Sequence, residues 1–518
     1  MSLKLGFKML SKVLSYGLIG IEGFGVQVEV DITGGLPSVD LVGLADTAIK
    51  ESKERVRSAI KNSGLDYPIN KITINLAPAD KKKEGPLYDL PIAIAILSAC
   101  NQIPIENVKD TIFLGELSLD GSVKRVNGVL PILIAARKEG FRKFIIPKSN
   151  ANEASFISGL DIFCVENLKE AKEFLCGENE ISKLQVSDYE TLKEQNNSQV
   201  VDFKLVKGQK SAKRALEIAA AGGHNVIMIG PPGSGKTLLA KCFSSILPDM
   251  TFEEALEVTK IHSVAGQLSS AGIVLERPFR SPHHTTTKIA LTGGNKNATP
   301  GEISLAHNGV LFLDELPEYD RHTIETLRQP LEDGVITVAR AQMSVTYPAS
   351  FTLIASMNPC PCGNYGSSKQ ECRCSPAQIH KYLSKLSGPL MDRIDLHVEV
   401  DSISFDELNA KQEEECSAEI KARVNKARKV QLERFKNSKN FCNSKMSVAS
   451  CKKHCKLDEE CNELMRMAFE NLHLSARAHD KILKVARTIA DLDGCDNIEP
   501  QHIAEAIQYR SLDDKYKV

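Results

Sequence analysis

The chain has 518 residues, enough for about three domains, and 42% of them are hydrophobic, so each domain can build its own core. Its 65 Lys and Arg residues are balanced by 66 Asp and Glu residues, which excludes nucleic-acid binding through overall charge and leaves only local basic surfaces. The longest apolar runs are too short to span a bilayer and the N-terminus lacks the pattern of a secretion signal, so we expect a cytoplasmic protein.

Residues 9–178 alternate strand-like and helix-like patterns, which predicts a first α+β domain. Residues 26–32 alternate polar and apolar side chains with a period of two, residues 48–62 form an amphipathic helical pattern, and residues 71–76 read as another strand. The polar, weakly patterned residues 179–202 are typical of a linker.

Two segments of this first domain resemble the proteolytic domain of Lon proteases. Residues 84–89 lie where that family carries its nucleophile motif, and residues 115–121 resemble the strand and turn before its catalytic lysine. The positions that match the catalytic serine and lysine are Leu87 and Leu130. Because leucine can neither attack a carbonyl nor take a proton, the resemblance implies a Lon-like fold without protease chemistry, used as a scaffold or interaction surface.

A glycine-rich segment begins the next region, residues 203–400, which we interpret as an ATPase core. It fits the pattern G-x-x-x-x-G-K-[ST] without a mismatch and lies between an apolar strand-like run and a helical pattern. Its residues are Gly230, Pro231, Pro232, Gly233, Ser234, Gly235, Lys236 and Thr237. Backbone N–H groups of such a loop bind phosphate, the lysine reaches the β and γ phosphates, and the threonine holds Mg²⁺, so the segment predicts an ATP site.

Further along the core, two strand-like runs end in polar residues. Asp314 and Glu315 follow the run at 309–313, where an aspartate would hold Mg²⁺ and a glutamate would orient the attacking water. Asn358 follows the next run and matches the sensor-1 position of AAA+ ATPases, placed to contact the γ-phosphate or the water. Between them, residues 333–347 predict a β-hairpin with Arg340 near its tip, either a contact for a nucleic-acid backbone or an ordinary exposed arginine.

The adjacent His283 and His284 cannot easily chelate one ion together, so we interpret them as structural or pore-lining. A cysteine cluster is the better candidate for a metal site. Two C-x-C pairs lie within fifteen residues and can close a tetrahedral zinc site, with free thiols as the alternative. The pairs consist of Cys360, Cys362, Cys372 and Cys374. The irregularly spaced Cys442, Cys451, Cys455 and Cys461 are weaker candidates for a second site.

The C-terminal region, residues 401–518, is predicted to be helical. Residues 417–439 are rich in Lys and Arg, which indicates a solvated face or, alternatively, a nucleic-acid surface. Ser475 begins an amphipathic helix that ends near Gly494, and Pro500 opens another. This helical unit resembles an AAA+ lid, and the resemblance implies that Arg477 is its sensor-2 arginine.

The order of these motifs resembles that of the ComM/YifB family of magnesium-chelatase-like AAA+ ATPases. The resemblance implies an α/β multidomain protein: a Lon-like α+β domain, a P-loop AAA+ core with a parallel sheet and a helical lid. It also implies a hexameric ring in which Arg393 acts as an arginine finger on ATP held by a neighbouring subunit. Thr237, Asp314, Glu315, Asn358 and Arg477 would act within one subunit, and the ring would move along single-stranded or branched DNA as a branch-migration helicase or translocase in recombination or natural transformation.

Two other functions remain open from the sequence. One is a magnesium-chelatase-type ATPase that remodels a protein or a metal-insertion partner. The other, an ATP-dependent protease, is opposed by Leu87 and Leu130. Stimulation of ATP hydrolysis by DNA separates the DNA motor from both.

Overall fold

The structure, a computed structural model, describes residues 9–44, 46–195, 201–295, 298–340, 343–366, 370–402, 414–436, 442–472 and 474–512. The contacts within the chain divide it into two compact units. The first takes the described residues up to 195, together with 252–275 and 298–299; the second takes the rest. Within the described ranges, no helix combines the length and the apolar character needed to cross a membrane.

The strands are β1 (Met9–Ile19), β2 (Glu22–Thr33), β3 (Ser38–Val42), β4 (Lys71–Ala77), β5 (Thr111–Phe113), β6 (Glu116–Leu117), β7 (Val123–Lys124), β8 (Lys143–Pro147), β9 (Asp161–Val165), β10 (Val226–Ile229), β11 (Phe279–Arg280), β12 (Gly293–Gly294), β13 (Thr299–Pro300), β14 (Val310–Leu313), β15 (Val335–Arg340), β16 (Met343–Pro348), β17 (Thr352–Met357) and β18 (Leu396–Glu399).

The helices are α1 (Thr47–Asn62), α2 (Asp89–Ala99), α3 (Ile105–Val108), α4 (Val129–Lys138), α5 (Ala151–Ala154), α6 (Leu168–Cys176), α7 (Tyr189–Gln195), α8 (Lys210–Gly222), α9 (Lys236–Phe243), α10 (Phe252–Val264), α11 (Lys288–Thr292), α12 (Glu302–Leu305), α13 (Arg321–Glu325), α14 (Arg328–Asp333), α15 (Pro376–Leu383), α16 (Gly388–Met391), α17 (Ser417–Arg434), α18 (Val448–His454), α19 (Glu459–Asn471), α20 (Ala476–Asp493) and α21 (Pro500–Gln508).

The first unit is built on a mixed seven-stranded sheet in the order β3-β4-β2-β1-β5-β8-β9. Strands β1, β2 and β4 pair antiparallel, whereas β5, β8 and β9 continue in parallel. Helix α2 is buried along its whole length against this sheet, which fits its nearly continuous apolar sequence. The strand and helix patterns read from residues 26–32, 48–62 and 71–76 are therefore confirmed, with β2 extending further at both ends.

A segment that follows the phosphate loop in sequence packs in the first unit. Helix α10 lies against α4, where Ser263 Oγ accepts a hydrogen bond of 3.0 Å from the Gly128 backbone N–H and donates one to the Glu153 carboxylate. Glu153 also accepts from the Leu130 backbone N–H at 2.9 Å. The sequence assigned these residues to the ATPase core at 203–400, whereas their buried polar contacts are with the first unit.

The second unit is built on a parallel five-stranded sheet in the order β11-β14-β17-β10-β18. Strand β17 separates β10, which leads into the phosphate loop, from β14, which leads into the acidic pair. The central strands β10 and β14 are buried throughout, as their continuous apolar sequence requires. The predicted parallel P-loop core is confirmed.

Helices α17 to α21 complete the second unit and form much of its apolar core with α8. Helix α20 begins after Ser475, whose side chain accepts a hydrogen bond from the Ala478 N–H, and ends at Gly494 in a left-handed conformation. The predicted helical C-terminal region is therefore confirmed, although α17 ends at Arg434, earlier than its basic composition suggested. These helices set the position of Arg477, which lies in the first turn of α20.

Candidate functional site

The phosphate loop joins β10 to α9 at the carboxyl edge of the parallel sheet. Gly233 and Gly235 both have left-handed backbone angles, with φ of 77° and 90°, which other residues disfavour. Gly230 is enclosed instead, since a Cβ there would lie 2.1 Å from the Val400 carbonyl oxygen. The sequence therefore builds a tight loop in front of a helix N-terminus, an arrangement that binds phosphate groups.

Lys236, the lysine of this loop, meets Asn358 at the same edge. Lys236 is 8% exposed, and its Nζ donates hydrogen bonds of 2.8 Å to the carbonyl oxygens of Gly230 and Pro231. The Oδ1 atom of Asn358 lies 3.3 Å from the same Nζ. Because β17 lies between β10 and β14, a residue that follows β17 reaches the space beside both the loop and the acidic pair. This contact brings the predicted sensor to the phosphate loop.

The predicted magnesium ligands are also together. Thr237 Oγ1 donates a hydrogen bond of 2.8 Å to Asp314 Oδ2. Neighbouring ligands of an octahedral Mg²⁺ at about 2.0–2.1 Å are themselves about 2.9 Å apart, so this oxygen pair fits that ion. The other carboxylate oxygen of Asp314 accepts from the hydroxyl of Ser356, a fully buried residue of β17, and from the Glu315 backbone N–H at 3.1 Å.

Glu315 follows directly in a left-handed conformation, with φ of 54°, which is uncommon for a residue with a side chain. Its side chain is 54% exposed, and its carboxylate lies 3.7 Å from Nδ1 of His284. His284 in turn packs on the ring of His283, with the ring centroids 4.1 Å apart. The acid is therefore accessible to a water molecule and has a histidine partner.

The two arginines lie elsewhere in the second unit. Arg393 and Arg477 line one cavity of about 410 Å³, and among the described residues none of the phosphate loop, residues 230–237, lines it. The other charged residues of the wall are Glu332, Asp392, Asp395, Lys445, Asp480, Lys481 and Lys484. Arg393 and Arg477 therefore share one cavity wall, to which the described residues 230–237 do not contribute.

Charges within this cavity are partly neutralised. Lys481 Nζ lies 2.6 Å from Asp395, and although burial opposes it, the neighbouring Lys481 and His224 hold the pKa of Asp395 well below its usual range. Arg393 donates to the Pro389 carbonyl oxygen at 2.8 Å and pairs with Glu332. Arg477 is exposed and has no hydrogen-bond or ion-pair partner among the described residues. The cavity therefore offers one unpaired arginine beside one held arginine.

The comparisons with known proteins cover almost the whole chain. Three family descriptions match it: subunit ChlI of Mg-chelatase at residues 28–150, magnesium chelatase subunit ChlI at 202–408, and the C-terminal part of that subunit at 414–510. Competence protein ComM of Haemophilus influenzae is 42% identical over 504 residues, which cover 97% of this chain and 98% of the relative. The chain belongs to the ComM/YifB family of magnesium-chelatase-like AAA+ ATPases.

Two further relatives agree with this assignment. The uncharacterized protein YifB of Escherichia coli is 44% identical over 505 residues, with 97% of each chain covered. Lon protease 2 of Bacillus subtilis is 30% identical over 166 residues, which cover 29% of this chain. The resemblance to the family and the partial resemblance to Lon proteases are therefore confirmed.

In this ComM/YifB-family chain, the two positions matched to the Lon catalytic residues are packed with apolar groups. Leu130 is 1% exposed in α4, and the partly buried Leu87 packs against the same apolar cluster. No polar side chain is offered at either position.

The cysteine cluster converges as the spacing predicted. The four Sγ atoms of Cys360, Cys362, Cys372 and Cys374 all lie within 4.8 Å of one another. The three distances among Cys360, Cys362 and Cys372 are 3.3, 3.6 and 3.7 Å, near the roughly 3.8 Å expected for thiolates around a tetrahedral zinc ion.

Backbone N–H groups of Asn364 and Arg373 lower the pKa of Cys362 to about 6, which favours the thiolate that a metal needs. Gly363 in the same loop packs so closely on Pro232 that a Cβ would lie 2.4 Å from that ring. The four thiols fit a structural zinc ion, and their loop contacts the phosphate loop.

Other cysteine groups do not form metal sites of this kind. The described Cys442, Cys451, Cys455 and Cys461 are buried and do not converge as a ligand group.

Cys495, Glu499 and His502 do converge, but Nδ1 of His502 already accepts a hydrogen bond from the Glu499 backbone N–H at 2.9 Å, so its lone pair is occupied.

The predicted hairpin is confirmed as β15–β16, whereas the side chain of Arg340 lies outside the described residues.

Sequence reasoning missed two side chains of the site. Ser356 directly follows the apolar run at 351–355, and only its hydroxyl, which bonds to Asp314 just beyond the end of the neighbouring β14, distinguishes it. His284 was noticed as part of a histidine pair, but its position beside Glu315 depends on a contact across 31 residues of chain that no local pattern encodes.

Proposed function

We propose that this chain is an ATP-driven motor whose catalytic site is divided between two subunits of a ring, and that its substrate is DNA. The observation that carries the divided site is the separation of two groups of residues. Lys236, Thr237, Asp314, Glu315 and Asn358 share the edge of the sheet, whereas Arg393 and Arg477 share a cavity that the described phosphate loop does not line. Both arginines then act on nucleotide bound by the neighbouring subunit, including Arg477, which the sequence assigned to its own subunit.

Each residue at the sheet edge has a chemical role in this proposal. The loop N–H groups and Lys236 bind and orient the phosphates, Asn358 contacts the γ-phosphate or the water, and Glu315 accepts a proton from the attacking water. Thr237 and Asp314 hold Mg²⁺, which supplies charge neutralisation on the phosphates. Arg393 and Arg477 stabilise the charge that develops as the γ-phosphate leaves.

The divided site predicts that turnover depends on assembly. ATPase activity per chain should rise steeply with protein concentration, together with the appearance of a ring of about six chains in sedimentation or mass photometry. Equal specific activity in dilute monomer and in assembled protein would contradict the shared site.

The DNA substrate rests on the family. A relative covering almost the whole chain is named a competence protein, and this name supports the proposal of a branch-migration helicase or translocase in natural transformation. The net charge of −1 adds no support, so contacts with DNA must be local.

The deciding experiment compares ATP hydrolysis with no DNA, single-stranded DNA, duplex and forked DNA at one stated salt concentration of about 50 mM, because phosphate contacts weaken steeply with salt. We expect stimulation by single-stranded or forked DNA. Basal hydrolysis without DNA binding or stimulation would instead favour the magnesium-chelatase-type remodelling of a protein partner.

Two parts of the proposal concern supporting elements. The first unit is a scaffold and not a protease, so ATP-dependent degradation of casein should be absent. The Cys360 cluster holds one structural Zn²⁺, and metal analysis of the purified chain should find about one zinc per chain.

A further inference from the structure

Helix α14 connects the hairpin to the arginine cavity. One residue, Gly334, separates its last residue from β15, and Gly334 has the left-handed φ of 66° that ends the helix sharply. On its other side, α14 is joined to the segment that carries Arg393 at two points. Arg328 donates a hydrogen bond of 3.2 Å to Ser387, the residue that caps α16, and Glu332 pairs with Arg393.

The environment of Arg393 shows what this pairing does. Its guanidinium is held from two sides, by the Pro389 carbonyl oxygen and by the Glu332 carboxylate. Its Nε is buried and has no hydrogen-bond partner in the described part of the chain. An arginine side chain loses rotamer freedom when it is fixed, so a partner that fixes it beforehand lowers the cost of reaching a phosphate in the transition state.

The exposure of the pair indicates that stability is not its main purpose. Glu332 is 55% exposed whereas the Arg393 side chain is 17% exposed, and ion pairs in such positions contribute little to folding. The acid of α14 nevertheless pairs with one of the two arginines that the proposed site requires, beside the unpaired Arg477.

We propose that Glu332 is a positioning residue for Arg393, and that α14 thereby links the state of the β15–β16 hairpin to the arginine that completes the neighbouring subunit's ATP site. This inference rests on the proposed function, because it needs Arg393 to act in hydrolysis. Movement of the hairpin when it meets its substrate shifts α14, and α14 carries the shift to Arg393 through Glu332 and through the contact of Arg328 with Ser387.

The test measures kcat and KM for ATP on the assembled full-length protein, with and without forked DNA. Glu332→Ala should lower kcat about ten- to a hundredfold with KM changed by less than about twofold, because misplacing an oriented group mainly destabilises the transition state. Glu332→Gln should fall between it and the wild type, since the amide oxygen still accepts a hydrogen bond. DNA should stimulate Glu332→Ala less than it stimulates the wild type.

Asp333→Asn is the matched control. It removes the same charge from the neighbouring residue of α14, which is exposed and is not a described partner of Arg393, and it should behave as the wild type. The double variant Glu332→Ala with Arg393→Ala should be no slower than Arg393→Ala alone, because both changes act through one guanidinium.

Several results would overturn the inference while leaving the proposed function intact. They are an unchanged kcat in Glu332→Ala, an equal loss in Asp333→Asn, or a loss in the double variant equal to the product of the two single losses. Should Glu332→Ala not assemble, Glu332→Gln and the double-variant comparison built on it decide the matter. A wild type without ATPase activity, or an Arg393→Ala variant as active as the wild type, would instead defeat the proposed function.

Discussion

The two units of this chain both carry the outline of a catalytic site, and they treat it in opposite ways. In the first unit the positions that resemble a protease dyad hold Leu87 and Leu130, which pack into one apolar cluster. In the second unit the sheet edge keeps every polar residue that its motifs predicted, and these residues bond to one another.

The difference shows what a retained site needs. Polar groups held away from water are unfavourable unless they are paired, so buried positions without a polar partner are most stably filled by apolar side chains. Lys236 can stay 8% exposed because two carbonyl oxygens and Asn358 accept hydrogen bonds from its ammonium group. Resemblance of a segment to a catalytic motif is therefore weaker evidence for a working site than hydrogen bonding among its polar side chains.

The largest effect on activity is expected when one of the arginines of the second unit is removed. Arg393→Ala should lower ATP turnover by about a thousandfold or more, as expected for an arginine finger acting on the γ-phosphate. Steady-state hydrolysis by the assembled protein measures this loss. Mixing Arg393→Ala chains with Lys236→Ala chains should restore part of the activity, since some interfaces then combine an intact loop with an intact arginine. A mixture as inactive as either variant would argue against a shared site.

Glu315→Gln should have the next largest effect, about a hundred- to a thousandfold loss of kcat with ATP binding retained, because the amide cannot take the proton of the attacking water. Nucleotide binding by fluorescence and turnover by phosphate release separate the two steps. Glu318→Gln is the control: Glu318 lies three residues away, is 44% exposed and pairs with Lys385 at 3.4 Å. Normal turnover in Glu315→Gln would remove this residue from the role of base.

Much of this second site could be predicted from the sequence because its chemistry is local. A glycine-rich loop, an acidic pair after a strand and a C-x-C pair each lie within a few consecutive residues, and the backbone conformation follows from them. Ser356 and His284 could not be predicted, because each gains its partner only when distant strands and loops meet. The same limit applies to Arg477. Its motif gives its position on the helix but does not tell whether it contacts nucleotide bound by its own subunit or by a neighbouring one.

The fold was predictable to a similar extent. Alternating and helical patterns identified β2, α1, β4 and α20 within a few residues. The packing of α10 with the first unit was not predictable, since it depends on the buried Glu153 and Ser263, which meet across 110 residues. Buried polar pairs of this kind are fixed by tertiary structure and leave no periodic signal.

Placing a charged side chain at one of the two apolar positions of the first unit tests the same contrast between the units. Leu130→Lys should lower the free energy of unfolding of that unit by about 3 kcal/mol or more, because it inserts an ammonium group into an apolar cluster. Urea denaturation measures the change, and Leu130→Met, which keeps the volume, should cost less than about 1.5 kcal/mol. Combining Leu87→Ser with Leu130→Lys should not produce casein degradation. Proteolysis by that double variant would mean that the unit retains a working protease frame.

Removing one thiol of the cysteine cluster should have an intermediate effect on the stability and ATP binding of the second unit. Cys362→Ser should reduce bound zinc to well under one ion per chain and lower the melting temperature, because the ion closes a loop whose four thiols converge. It should also raise KM for ATP, since Gly363 of this loop packs against Pro232. Cys242→Ser, at a buried cysteine outside the cluster, controls for loss of a thiol. Full zinc content in Cys362→Ser would contradict the assignment.

The smallest predicted effect is at the residue that the sequence did not mark. Ser356→Ala removes the hydroxyl that donates to Asp314 and lies 3.2 Å from the Glu315 backbone N–H, so it loosens both acids without removing either. A hydrogen bond to a charged group contributes about 1.5–3 kcal/mol, so we expect about a tenfold rise in the Mg²⁺ concentration that gives half-maximal ATPase activity. Ser304→Ala is the matched control, because Ser304 is equally buried and its hydroxyl has no hydrogen-bond partner in the described part of the chain. An equal magnesium dependence in both variants would contradict this prediction. It would show that Thr237 and the Glu315 backbone N–H suffice to position Asp314, and that the bond from Ser356 is not needed.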